Sequence, residues 1–153
     1  MPKSPPPAAT RAGSVHAVLD TNVVVSGFLK ASGAPARVLA LIPAGIVTAV
    51  YSDAIVAEYE EVLARPQLAI DPDAAAAFLD ALRDEGMRVT PLRKEDIRLP
   101  DPDDYPFIAA ARAAACPVVT GNLRHYPSSA GVEALSPARF LERVDLPQVP
   151  GAK

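Results

Sequence analysis

Short apolar runs rich in β-branched residues alternate with stretches of helical period along most of the chain, and this alternation limits the fold more than any other feature. Val15–Leu19 and Ile46–Tyr51 read as buried strands, as does Pro117–Thr120, and Met87–Thr90 reads as a further short one. Between them the spacing predicts helices over Thr21–Leu29, from the Gly33–Pro35 entry through Ile42, over Asp53–Ala64 and over Ala74–Glu85. Two more are expected over Asp104–Ala115 and from Ser136-Pro137 through Arg143. Their ends carry suitable signals: Ser52 or Asp53 as an N-cap, Asp71-Pro72-Asp73 as an opening, Gly86 as a stop, and Pro137 in a first turn. Strands separated by helices cannot pair through tight hairpins and instead lie parallel. The expected fold class is therefore α/β, a mostly parallel central sheet flanked by helices on both faces.

At 153 residues the chain is one domain by length and can bury a self-sufficient core. Half the residues are hydrophobic and 22% are charged, a soluble globular balance. The 17 prolines collect at the two ends and near Pro100–Pro106. The expected organisation is thus an N-terminal tail over 1–14, a folded domain over 15–144 and a C-terminal tail over 145–153. A single cysteine, Cys116, excludes an internal disulfide. No apolar run approaches the roughly 20 residues of a spanning helix, so no membrane is expected. The first 14 residues lack the apolar centre of a secretory signal, and the expected location is the cytoplasm. A net charge of −3 argues against a protein that coats duplex phosphates non-specifically.

Ligands of open parallel sheets bind at the carboxyl ends of the strands. Asp20 ends the first strand and Asn122 follows the Pro117–Thr120 strand, so both emerge at that edge if their strands are central. Each has an ordinary alternative, a helix N-cap for Asp20 and a turn residue for Asn122. Asp104 falls on the apolar face of its helix with Phe107, Ile108, Ala111 and Ala115. A carboxylate aimed at a core needs a partner, either the helix N-terminus or a bound cation. Asp103 lies toward the edge of that face and Asp101 in the turn before it, and D-P-D-D is also good turn chemistry. The helix after Ser52 carries a stripe of Ile55, Val56, Tyr59, Val62 and Leu63. Glu58 and Glu60 flank this stripe symmetrically, so periodicity does not choose between them, while Glu61 points away to solvent.

Carboxylates from separate elements suit a hard divalent cation such as Mg²⁺ or Mn²⁺. Zinc is disfavoured, because His16, His125 and Cys116 have no ligand spacing. No G-x-S-x-G elbow, P-loop or G-x-G-x-x-G turn is present. From the residues alone, the reading is a carboxylate metal site in an α/β domain.

Four segments in order extend that reading: V-L-D-T-N-V-V-V-S-G-F-L, S-D-A-I-V-A-E-Y-E-E-V-L, D-P-D-D-Y-P-F-I-A-A-A and V-V-T-G-N-L-R-H-Y-P. Together they resemble PIN domains, and the last, followed by S-P-A-R-F-L-E, is similar to a bacterial branch described as toxins of toxin–antitoxin systems. The resemblance spans about Ala17 to Glu142. It implies a Mg²⁺- or Mn²⁺-dependent ribonuclease with Asp20, Glu58 and Asp104 as catalytic, metal-holding acids, and it selects Glu58 over Glu60. Asp101 and Asp103 are further candidate ligands. The family's fourth acidic position is Asn122 here, a departure: its amide oxygen can coordinate or orient water but adds no charge. Thr21, Asn22 and Thr120 are implied as supports. Arg124 and His125 sit where they could meet an RNA backbone, with plain solvation as the other reading. The implied partners are RNA, a cognate antitoxin protein and a second copy of the chain. A catalytically impaired RNA- or protein-binding module and a housekeeping RNA-processing nuclease are the alternatives.

Overall fold

In the computed structural model, which describes residues 14–91 and 99–145, five short strands form one parallel sheet. They are β1 (Val15–Leu19), β2 (Val47–Tyr51), β3 (Met87–Arg88), β4 (Val118–Val119) and β5 (Ala134–Leu135), in the order β3-β2-β1-β4-β5. Six helices alternate with them: α1 (Thr21–Leu29), α2 (Ala34–Ala40), α3 (Asp53–Leu63), α4 (Pro72–Glu85), α5 (Tyr105–Ala114) and α6 (Pro137–Asp145). All five residues of β2 are buried, as are Ala17, Val18 and Leu19 of β1. Successive side chains of a strand point to opposite faces, so this continuous burial means that the sheet is covered on both. The expected α/β class is the observed one.

The order of the strands determines where a ligand can bind. The chain lays β2 and β3 successively on one side of β1, then returns to place β4 and β5 on the other. Asp20 follows β1 and Thr120 follows β4, at the point where the winding reverses. The registry holds them level: Val18 pairs with Val118 and Leu19 with Val119, and the Asp20 N–H donates to the Val119 carbonyl at 2.9 Å. Such a reversal opens a crevice at the carboxyl ends of the strands.

Packing follows from the apolar stripes. Helix α5 lies against β1 and β2, α1 packs on α2 and α2 on α6, and α3 contacts α1, α4 and α5. Tyr59, Phe107 and Phe140 are the largest fully buried side chains. Gly86 ends α4 as expected, but with extended φ of −81° and not with a left-handed turn. Its role is close approach: a Cβ there would stand 2.5 Å from the Leu82 carbonyl oxygen and 2.7 Å from that of Ala49 in β2.

Several expected boundaries move. β5 was not expected at all, and the strand expected over Met87–Thr90 is two residues long, although the Val89 N–H still donates to the Tyr51 carbonyl at 2.8 Å. Helix α2 stops at Ala40, short of Ile42. A 3₁₀ turn over Pro102–Asp104 precedes α5, so Asp104 is its N-cap and not its first helical residue. Of the expected tails, residues 1–13 and 146–153 lie outside the described residues. Ser14 Oγ lies 2.5 Å from Thr48 Oγ1 of β2, and α6 runs on to Asp145. Among the described residues, no single helix is long and apolar enough to cross a membrane.

Candidate metal centre

An N-cap side chain ordinarily accepts a backbone N–H of the first turn, and three caps of this protein do so. Ser52 accepts from the Ile55 N–H, Asp71 from the Asp73 N–H and Asp101 from the Asp103 N–H. Asp20 and Asp104 stand at the N-caps of α1 and α5, yet neither side chain caps a backbone N–H of its own helix. Both are buried, at 5% and 8% exposure. The capping explanation for these two carboxylates therefore fails, and each is turned toward other elements.

Asp20 Oδ2 accepts three hydrogen bonds: from Thr120 Oγ1 at 2.8 Å, Tyr126 OH at 3.0 Å and Asn22 Nδ2 at 3.3 Å. Glu58 Oε2 accepts from Thr21 Oγ1 at 2.6 Å. Asp104 Oδ2 lies 2.8 Å from His125 Nδ1. In all three acids one oxygen is anchored by a neighbouring element, and the other has no hydrogen bond among the described residues. Thr120, fully buried, is held in turn, since its Oγ1 accepts from the Asn122 N–H at 3.0 Å. Asn22 also bridges to β4's end, accepting the Gly121 N–H on Oδ1 at 3.0 Å.

The tie between Glu58 and Glu60 is broken by α4. Glu60 pairs with Arg83 at 2.5 Å, whereas Glu58 turns to the start of α1. A cavity of about 560 Å³ is lined by Thr21, Asn22, Glu58, Glu61, Arg65, Asp101, Asp103 and Asp104. Asp20 is not in its wall and connects to it through Asn22. Glu61 is exposed, as expected, but lines this cavity in a fork with Arg65, at 2.9 and 3.0 Å. The tightest grouping of candidate ligand atoms among the described residues is Asp101, Asp104 and His125, all within 4.8 Å of one another. Asp20 and Glu58 lie outside that grouping. Asp103 is exposed and Arg124 is exposed beyond Asn122.

Electrostatics marks the same place. Burial and the nearby charge of Asp20 push the Asp104 carboxyl up to about 6, against the opposing pull of His125. Burial and the charges of Asp20, Asp104 and Glu58 push the Tyr126 phenol far above its usual range, so one hydroxyl senses all three acids. Tyr59, whose hydroxyl bonds to the Leu19 carbonyl, is raised by burial and by Asp20 and Glu58. Negative charge is thus concentrated and incompletely compensated, the condition a divalent cation relieves.

Tyr126, Arg65 and the contacts of His125 were not foreseen. Tyr126 follows a 3₁₀ turn, which has no apolar period to reveal a buried face. The Glu61–Arg65 spacing of four residues was a legible signal for the fork. His125 is half-buried and engaged on both ring nitrogens, so the plain solvated reading does not describe it.

No curated protein matches the chain. A family model of the PIN domain matches residues 16–124, well over half of the chain, and that span contains every one of the candidate acids. With a five-stranded parallel sheet and buried carboxylates at its switch point, the chain belongs to the PIN-domain family.

Proposed function

We propose that the protein is a divalent-metal-dependent ribonuclease that hydrolyses RNA phosphodiester bonds. The observation that carries this reading is the arrangement of Asp20, Glu58 and Asp104. They come from three separate elements, and each has one oxygen fixed by a neighbour and one left over. Oxygen donors of this kind suit Mg²⁺ or Mn²⁺. When bound, such an ion polarises a phosphoryl oxygen and lowers the pKa of an attacking water.

The protein's own residues set the geometry. Thr120, Tyr126 and Asn22 hold Asp20, Thr21 holds Glu58, and His125 holds Asp104, so the ligands are oriented before any ion arrives. Asp101 and Asp103 add charge at the cavity wall. Arg65 and Arg124 offer guanidinium groups to the phosphates of an incoming strand. Without an ion the acidic wall repels RNA, so affinity for RNA falls in chelator. The toxin role, with an antitoxin and a second copy of the chain as partners, is part of the same proposal. Co-purification from the native operon without a second small protein would count against it.

The decisive experiment is cleavage of a structured RNA pool in Mn²⁺, Mg²⁺ and EDTA, beside folded Asp20→Asn and Asp104→Asn variants. Cleavage that requires metal and vanishes in both variants supports the proposal. Folded wild type that neither cleaves nor binds Mn²⁺ overturns it in favour of a catalytically impaired binding module. The observation favouring that second reading is Asn122, which brings no charge to the fourth position.

A further inference from the structure

We infer that the cavity beside Glu58 and Asp104 seats one nucleoside of the RNA with a phosphate on each side of it. One phosphate lies at the acids, the other docks on Arg65, and the nucleoside rests on Val25, Val62 and Leu68. The inference deepens the ribonuclease reading and rests on it for the phosphate at the acids.

Two observations carry it, and the first is how the cavity's charge is arranged. Its wall bears Glu58, Glu61, Asp101, Asp103 and Asp104, and Arg65 is the one cation among its described residues. Arg65 is forked on Glu61, through Nε–H at 3.0 Å and one Nη2–H at 2.9 Å, and pairs with none of the candidate ligands. That fork uses two of the five guanidinium N–H groups. The edge formed by Nη1 and the rest of Nη2 has no hydrogen bond among the described residues, and such an edge matches two oxygens of a phosphate. Glu61 lies three residues on from Glu58, so the two share a face of α3. The fork sets the guanidinium about one turn, on the order of 5 Å, further along α3 than Glu58. Its backbone is fixed as well: the Arg65 N–H donates to the Val62 carbonyl at 3.1 Å, and the Arg65 carbonyl accepts from the Leu68 N–H at 3.0 Å. Arg65 is thus held off the acids and offered to a phosphate next to the one they serve.

The second observation is that part of this acidic wall is apolar. Val25 of α1, Val62 of α3 and Leu68 of the 3₁₀ turn over Pro66–Leu68 line the same cavity. All three are half-buried. Val62 and Leu68 belong neither to the hydrophobic core cluster nor to the side chains packed against it. Apolar surface beside carboxylates serves neither an ion nor a phosphate. It suits the base and ribose of a nucleoside, which lose water favourably against aliphatic side chains. The cavity's volume of about 560 Å³ is that of a small-ligand pocket, and so fits a unit of this size. An exposed ion pair such as Glu61–Arg65 contributes little to stability, so the loss of Arg65 is read in binding and not in folding.

The test uses the full chain in Mg²⁺ and two probes without a phosphodiester bond, adenosine 3′,5′-bisphosphate and adenosine 5′-monophosphate, titrated by calorimetry. Wild type should bind the bisphosphate about tenfold more tightly, the effect of one charge-assisted phosphate contact. Arg65→Gln, shown to be folded by circular dichroism, should bind the two alike. Arg83→Gln, which removes an arginine outside the cavity, should keep the difference. Leu68→Ala should weaken both probes and preserve their ratio. In cleavage of a short single-stranded RNA, Arg65→Gln should raise KM about tenfold and leave kcat within about twofold. Equal affinities in wild type, or a preference for the bisphosphate that survives Arg65→Gln, would overturn the subsite. Leu68→Ala with wild-type affinities would overturn it too. Wild type that prefers the bisphosphate through Arg65 yet neither binds Mn²⁺ nor cleaves RNA would instead overturn the ribonuclease reading, and with it the phosphate at the acids.

Discussion

Replacing Asp104 by asparagine should stabilise the metal-free protein at neutral pH and abolish its stabilisation by Mn²⁺. Burial and the charge of Asp20 push this carboxyl from 3.8 to about 6. A carboxyl raised in the folded state carries no penalty below its unfolded pKa. Between the two values the native state binds the extra proton, so stability falls as pH rises, and above about 6 the whole penalty is present. The full rise corresponds to about 3 kcal/mol, which water at the cavity mouth screens to roughly 1–2 kcal/mol. Asparagine keeps the shape and a polar group facing His125, so it removes the charge alone.

In a domain of this size that gain is a rise of roughly 3–6 °C in melting temperature. Thermal melts by circular dichroism in EDTA should show it near neutral pH and show it vanish near pH 4. Mn²⁺ at about a hundred times its dissociation constant should add about 2.7 kcal/mol to wild type and nothing to the variant. A variant that melts below wild type at neutral pH in EDTA would refute the electrostatic argument. One that still gains stability from Mn²⁺ would refute the assignment of Asp104 as a ligand.

Glu58→Gln should eliminate Mn²⁺ binding in calorimetry, whereas Glu60→Gln breaks only the exposed pair with Arg83, changes stability by less than about 1 kcal/mol and leaves binding intact. Tyr126→Phe removes one of three donors on Asp20 Oδ2 and should cost about 1.5–3 kcal/mol in urea unfolding, with weakened Mn²⁺ affinity. Gly86→Ala drives a methyl group into the carbonyls of Leu82 and Ala49 and should lower stability by about 1–3 kcal/mol, read from the urea midpoint.

The alternation of elements was legible because β1, β2 and α1 each carry a strong local pattern, and the structure reproduces Val15–Leu19 and Thr21–Leu29 to the residue. β5 was not, because Ala134-Leu135 has neither length nor branched side chains and exists only through its pairing with β4. Strand order likewise has no local signal. For the candidate site, periodicity brought Asp104 to a buried face but left Glu58 and Glu60 tied. What separates them is Arg83, a residue 23 positions from Glu60 on another helix. The Asp104–His125 contact spans 21 residues and the Asn122–His125 contact sits in a 3₁₀ turn, so neither follows from the spacing along one regular element.

These separations also bear on when the site exists. Asp20 is held by Thr120 across 100 residues and by Tyr126 across 106, and Glu58 by Thr21 across 37. None of these bonds can form in an isolated helix or strand. The Asp20 anchors need β4 beside β1, and β4 is the first strand laid on that side of the sheet after the chain has passed through β2 and β3. Bringing such distant segments together is entropically costly. Like charges then gather where they repel, so the site opposes folding until something neutralises it. The core must therefore supply the stability, through the burial of β2 and of Ala17, Val18 and Leu19 in β1, together with Tyr59 and Phe107. A cation that meets the acids only in this arrangement stabilises the native state by mass action. On the proposed reading, its binding would report on the docking of β4, the step that anchors Asp20 through Thr120 and Tyr126.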